Sequence, residues 1–252
     1  MDKITIALGF ILLWTSCSKD KTLIFQEKLL TKDAVEVCVN NNCPNFNIQY
    51  LEAISNGDNA MLFNTLVTNE VTKLLLSFQD TPPDKNINVQ DALLFFIDDF
   101  RNYENDIGNN FVPYEADTYM EVIYQSPELI SIDLNFYFFT GGAHGYGGTR
   151  FLNFDAKTGA ILTLDQVFTD IQKIEEITEK MIREQYNIPV SHNINSTGFW
   201  FENDTFHLPE NIGFTATEVL LIYNQYEIAS YAEGAISLSI PKTEITQYLR
   251  FQ

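Results

Sequence analysis

Residues 131–155 leave this chain few folds to choose from. Over 131–139 apolar and polar residues alternate. Ile132, Leu134, Phe136 and Phe138 form one set, and Ser131, Asp133, Asn135 and Tyr137 the other. Successive side chains of a strand point to opposite faces, so this period predicts a strand with one face in a core. The next stretch holds five glycines within residues 141–148. Residues 150–155 then read as a second strand, closed by a Lys157-Thr158-Gly159 turn. Glycine admits the tight backbone that joins antiparallel neighbours. The segment predicts a hairpin whose apolar face requires a covering layer.

Candidate covers precede and follow it. Residues 58–76 carry Met61, Leu62, Leu66, Leu74 and Leu75 at helical spacing. Residues 89–107 place Leu93, Leu94, Phe96, Ile97 and Phe100 on one face, with Asp98, Asp99, Arg101 and Glu104 opposite. The paired Asp residues point apart on a helix and read as solvated. Pro82 and Pro83 mark 80–86 as a loop. Thr169-Asp170-Ile171-Gln172 has the form of a capping box opening a helix to about residue 187, with Ile171, Ile174, Ile177, Met181 and Ile182 inward. Further strands are expected at 119–124, at 219–223, where a continuous apolar run suggests burial on both faces, and at 235–240. Residues 241–249 hold a short helix at most. Strands and helices segregate without a βαβ rhythm, so the class is α+β with a mainly antiparallel sheet.

The first residues bear on the compartment. After Lys3, residues 4–14 are uncharged and apolar. They are too few to span a bilayer, which takes ~20 such residues, and match the h-region of a signal peptide. Thr15, Ser16 and Cys17 follow, as at a lipoprotein cleavage site, although Trp14 stands where Leu is usual. Cys17 is the expected lipid anchor, with 1–16 removed and 18–27 a linker. The expected location is the bacterial cell envelope, with the membrane reached through the lipid only.

Cleavage before Cys17 leaves about 235 residues, enough for one large or two small domains. With 20 Phe and 12 Tyr, a real core can form. The formal charge of −19 survives cleavage because Asp2 and Lys3 cancel. Such a surface repels nucleic acid and would attract a cationic partner, while also serving solubility. Cys38 and Cys43 remain as an even pair in an oxidising compartment. Residues 35–39 read as a strand, Asn40-Asn41-Asn42 as its turn and 46–54 as the next strand, so a disulfide closing the turn is expected. With no His beside them these cysteines make a poor zinc site, and no metal or cofactor is expected.

The glycine-rich segment is the place to look for chemistry. A phosphate loop leads from a strand into a helix N-terminus, whereas a strand follows here, and the spacing is neither a dinucleotide fingerprint nor a P-loop. His144 is the titratable residue of the segment and reads as a turn histidine bonded to neighbouring backbone. The chain has no GxSxG elbow and no HExxH pair among its three His residues.

Two separated stretches carry a resemblance. Phe138-Phe139-Thr140-Gly141-Gly142-Ala143-His144-Gly145, then Leu152-Asn153-Phe154-Asp155, Thr158-Gly159 and Leu162-Thr163-Leu164, form the first. Tyr226-Glu227-Ile228-Ala229-Ser230-Tyr231-Ala232-Glu233-Gly234 with Pro241 beyond forms the second. Together they resemble the RsiV-like extracytoplasmic domain family over about 126–252, and 28–125 resembles the smaller α+β domain that usually precedes it. The family's name-giving member is a membrane-bound anti-sigma factor whose outer part binds lysozyme, and relatives include lipoproteins and chains bearing peptidoglycan deacetylase domains. The resemblance implies Gly141, Gly142, His144, Gly145, Tyr146, Tyr226, Glu227 and Tyr231 as a ligand-binding or structural loop cluster. It implies an envelope binding module, with lysozyme or peptidoglycan as partner and no catalytic group. Two alternatives stand beside it: a cell-wall hydrolase using His144 with Glu227 or Asp155, and a structural lipoprotein without a ligand.

Overall fold

The computed structural model describes residues 22–39, 42–77, 87–107 and 112–251. The signal peptide, Cys17, Asn40-Asn41 and the 80–86 loop lie outside the described residues. Five strands form one sheet in the order β1 (Phe25–Thr31), β2 (Asn45–Ala53), β3 (Glu115–Gln125), β4 (Leu129–Phe139) and β5 (Tyr146–Asp155). Neighbours are antiparallel except β2 and β3, which run parallel because two helices intervene between them.

Those helices are α1 (Asp58–Leu76) and α2 (Val89–Ile107), with the bounds the sequence predicts. In α1 the buried stripe is Ala60, Phe63, Val67, Val71 and Leu74. Leu74 and Leu75 are buried and Leu66 packs on the core, whereas Met61 and Leu62, expected inward, face solvent, because the packed side of the first turns runs through Ala60, Phe63 and Val67. Leu94 of α2 is likewise exposed. Asn88 caps α2, accepting from Asp91 N at 2.8 Å. The covered sheet face meets the helices through rings such as Phe63–Phe154 (4.6 Å) and Phe96–Phe138 (6.3 Å). The alternation of β4 holds, with Ile132, Leu134, Phe136 and Phe138 all buried.

Two expectations near the N-terminus are corrected. The strand partner of β2 is not 35–39 but β1, which opens at Phe25 inside the stretch read as linker. Residues 32–34 and 36–38 form 3₁₀ turns, and the Cys38–Cys43 disulfide, which is present, closes that turn region and not a hairpin tip. Val35 to Val39 has strand composition, but its backbone closes turns on itself, with Cys38 N donating to Val35 O and Val39 N to Glu36 O.

Beyond β5 come α3 (Leu164–Val167) and α4 (Ile171–Gln185), then β6 (Asn211–Phe214), β7 (Glu218–Tyr223), β8 (Ile236–Pro241) and α5 (Lys242–Ile245). The capping box belongs to α3, through Thr163 and Gln166, while α4 is capped by Asp170, which accepts from Lys173 N. Ile174, Thr178 and Ile182 are the buried side of α4. β7 alternates between buried and half-buried, so its apolar run does not signal burial on both faces.

Strands β6, β7 and β8 make a second, antiparallel sheet with its own core around Phe168, Phe214 and Tyr223. It docks where β4 and β5 carry Ser131 and Asn153. Ser131 Oγ accepts from Phe214 N (3.0 Å) and donates to Asn153 Oδ1 (2.8 Å), and Asn153 Nδ2 donates to Ile212 O (2.7 Å). Every partner in this buried chain is satisfied, so it joins the two cores without leaving an orphaned group. The first sheet is continuous across residues 125–126, since β3 and β4 pair from Glu115↔Phe139 to Gln125↔Ile130. Among the described residues no helix is long and apolar enough to cross a membrane.

Candidate functional site

Only part of the glycine-rich segment is a turn. Tyr146, Gly147 and Gly148 belong to β5, and residues 140–145 connect it to β4. Gly141 and Gly142 have φ of +91° and +88°, a left-handed backbone that favours glycine. Gly148 serves a different need. A Cβ there would lie 2.9 Å from Asn224 Oδ1, and the Asn224 side chain must come this close to clasp Thr149. It accepts from Thr149 N and donates to Thr149 O, both at 2.9 Å, so an amide side chain occupies the edge of β5 as a further strand would.

The two signatures meet here. His144 stacks on Tyr231 with ring centroids 4.2 Å apart. Its Nδ1 donates to Gly145 O (2.9 Å), and its Nε2 lies 3.5 Å from the Tyr226 hydroxyl. Tyr231 OH donates to Gly145 O (3.3 Å), and Tyr146 OH to Gln225 O (3.4 Å). Tyr226 is half-exposed with φ of +68°, a strained backbone for a bulky residue, and it projects its ring outward beside Tyr231. Of the predicted residues, His144, Gly145, Tyr226 and Tyr231 form one cluster, and Tyr146 adjoins it.

Glu227 belongs to a neighbouring cleft of about 1010 Å³ between the halves, bounded by α1, β5 and residues 207–211 and 224–227. Its carboxylate accepts from Asn224 N (2.8 Å) and Glu210 N (3.4 Å). Burial pushes this carboxyl above the usual range, against the pull of those two amides. Burial also raises Tyr146, and Glu227 adds to the effect. Across the cleft Arg150 pairs with Glu70 at 3.0 Å, and Glu70 also holds Lys73. Phe136, Tyr146 and Tyr226 supply aromatic wall.

The hydrolase arrangement is not assembled. The His144 ring engages Gly145, Tyr226 and Tyr231, whereas Glu227 is held by backbone amides. Asp155 closes the turn at the other end of β5, accepting from Lys157 N and Thr158 N. Among the described residues no group of three or more His, Cys, Asp or Glu could hold a metal ion. Sequence reasoning missed Asn224, Glu70 and Arg150. Asn224 stands two residues before Tyr226 with no pattern to mark it, and the ion pair spans α1 and β5.

Comparison with known proteins gives partial matches on both sides of this cluster. Residues 163–243 match DUF3298, a protein of unknown function, and residues 37–146 match PdaC, described as deacetylase PdaC. The glycine turn lies in the second of these segments and Tyr226 to Gly234 in the first. A DUF3298 family member from Bacteroides fragilis NCTC 9343 shares the fold with a TM-score of 0.65 at 18% identity, over 90% of this chain and 93% of its own. A DUF3298 family protein from Pseudomonas aeruginosa PAO1 does so with 0.57 at 20% identity, over 92% and 96%. No curated protein is significantly similar to this chain.

Proposed function

We propose that this chain, an RsiV-like protein that carries a DUF3298 domain behind a PdaC-type segment, is a lipid-anchored envelope binding module with its ligand site in the cleft beside the glycine turn. One observation carries the reading: the halves meet around a cleft that combines aromatic walls with amide and carboxyl groups already held in place. That mixture suits a sugar chain, whose rings stack on aromatic faces while hydroxyls bond to fixed polar groups. The cleft acids favour a cationic protein less, because Glu70 is paired with Arg150 and Lys73 and Glu227 is held by two amides. The −19 charge is the feature that supports lysozyme as the second reading. The deacetylase activity in the PdaC description is not proposed for this chain.

The soluble form beginning at Ser18 should bind peptidoglycan fragments with little salt dependence. Tyr226→Ala should weaken that binding about tenfold, the worth of one good stacking contact. Lysozyme binding that dominates and collapses between low and high salt would instead favour the cationic partner. Binding to neither ligand removes both. Turnover of a wall substrate that vanishes in His144→Ala would overturn the non-enzymatic reading.

A further inference from the structure

We propose that the end of the molecule opposite the glycine turn rests on the bilayer, with Ile24, Ile54 and Met61 entering its interfacial layer. This rests on the lipid anchor at Cys17 in the function proposed above. The sheet defines the two ends. Phe138 pairs with Tyr146 beside the glycine turn, and Leu129 pairs with Asp155 at the far end of the same hairpin. Eleven residues of β4 at ~3.3 Å each separate these ends by ~35 Å. The chain enters at the Leu129 end, where Gln125 Nε2 donates to Leu23 O at 2.9 Å. Cys17 lies five positions before Thr22, the first described residue. Five residues reach at most ~18 Å, so a lipid on Cys17 keeps this end close to the membrane surface.

The same end exposes apolar side chains. Ile24, Ile54 and Met61 are 59%, 52% and 63% exposed. Ile54 N donates to Ile24 O (2.8 Å), which sets the two isoleucines side by side at the start of β1. Met61 is in the first turn of α1, and one turn later Asn64 clasps both backbone groups of Ala53, so this part of the helix lies along the end of β2. Thr22 and Leu23 share a hollow with Gly57, Asp58 and Asn59. Scattered exposed apolar residues are ordinary. Here two are paired where the tether begins, and the third, Met61, lies at the same end of the sheet in the first turn of α1. Val112 is as exposed but precedes β3, at the other end of the sheet.

Charge supplies little of the contact. Asp58 and Glu128 stand at this end against Lys157, so the surface is not basic and gains nothing from anionic lipid. Three side chains bind a bilayer too weakly to hold it alone, so the lipid supplies the affinity and the patch supplies the orientation. The cleft then faces away from the membrane, open to ligands arriving from outside.

The test uses the full processed chain in phosphatidylcholine vesicles containing doxyl-labelled lipid, with a fluorophore on M61C or on A143C in the exposed glycine turn. Intact mass reports the lipid on Cys17. The probe at 61 should be quenched about twofold and the probe at 143 hardly at all. Ile24→Glu with Ile54→Glu, both exposed positions, should abolish the quenching at 61 while the protein stays on the vesicles. Lipidated protein with no quenching at 61, or with equal quenching at both sites, overturns the orientation and leaves the anchor standing. A mass without lipid sinks the anchor, and the orientation with it.

Discussion

The two halves of the molecule satisfy their backbone in different ways. In the first, from β1 to β5, ladders and two long helices pair most of it. Side chains also intervene where a ladder stops: Gln49 bonds Met120 N and O just beyond the last β2–β3 pair, and Asn64 bonds Ala53 at the end of β2. In the second, the strands are four to six residues long and long connections run between elements. There, side chains do what ladders do elsewhere. Asn195 holds Phe201 N and O, Arg183 holds Pro189 O and His192 O, and Arg250 holds Asp165 O and Phe168 O. Buried backbone must find partners by one route or the other. The consequence is an unequal sensitivity to single substitutions.

The largest effect should come from Asn195→Ala. It leaves the N–H of Phe201, a buried residue, without a partner, leaves the carbonyl with Asp204 N alone, and removes a bond to the Asp204 side chain. An orphaned buried group costs ~1–3 kcal/mol and each further lost hydrogen bond about 1 kcal/mol, so about 3 kcal/mol in all is expected in urea unfolding. A loss below about 1 kcal/mol would mean that water replaces the clasp, and would break the contrast between the halves.

Removal of the Cys38–Cys43 disulfide tests the first half and should cost less. The closed loop is short, so constraint of the unfolded chain is worth about 2 kcal/mol. Cys38→Ser with Cys43→Ser, compared by urea unfolding, reads the loss. A cost above that of Asn195→Ala would show that the 32–38 turns depend on the covalent link and not on the sheet beside them.

The same contrast explains what can be read from sequence. The alternation at 131–139 and the apolar faces of 58–76 and 89–107 are repeated signals, and they locate β4, α1 and α2 closely. β6 carries only four residues, too few for a period to mark it. Its place depends on Ser131 and Asn153, which in sequence look like the solvent face of a strand. The cluster of His144, Tyr226 and Tyr231 is legible through the resemblance, because its members sit in the two signatures. The cleft is not, because Glu70, Arg150 and Glu227 come from three separate elements and no local pattern links them.

The smallest effect is a gain, and it follows from what a regular ladder imposes. Register alone places Asp133 of β4 directly opposite Glu121 of β3, with like charges facing. Asn135 bonds the carboxylate, yet Asp133 Oδ1 is buried without a hydrogen-bond partner. Burial pushes this carboxyl above its ordinary range, Glu121 pushes it further, and Asn135 pulls against both. A carboxyl raised in the folded state binds its proton more tightly there than in the unfolded chain. Its penalty is therefore absent below the unfolded pKa of ~3.9 and grows as pH rises through the folded value. Asp133→Asn should stabilise the protein by up to about 1 kcal/mol at neutral pH, a figure held down by solvent screening of a half-buried group. The gain should disappear near pH 3.5, below both pKa values. Glu121→Gln should give a smaller gain with the same pH dependence, acting through Asp133. Urea midpoints of the three proteins at the two pH values decide it. A gain for Asp133→Asn that is equal at both would trace to packing, and would show that the ladder places this carboxylate without electrostatic cost.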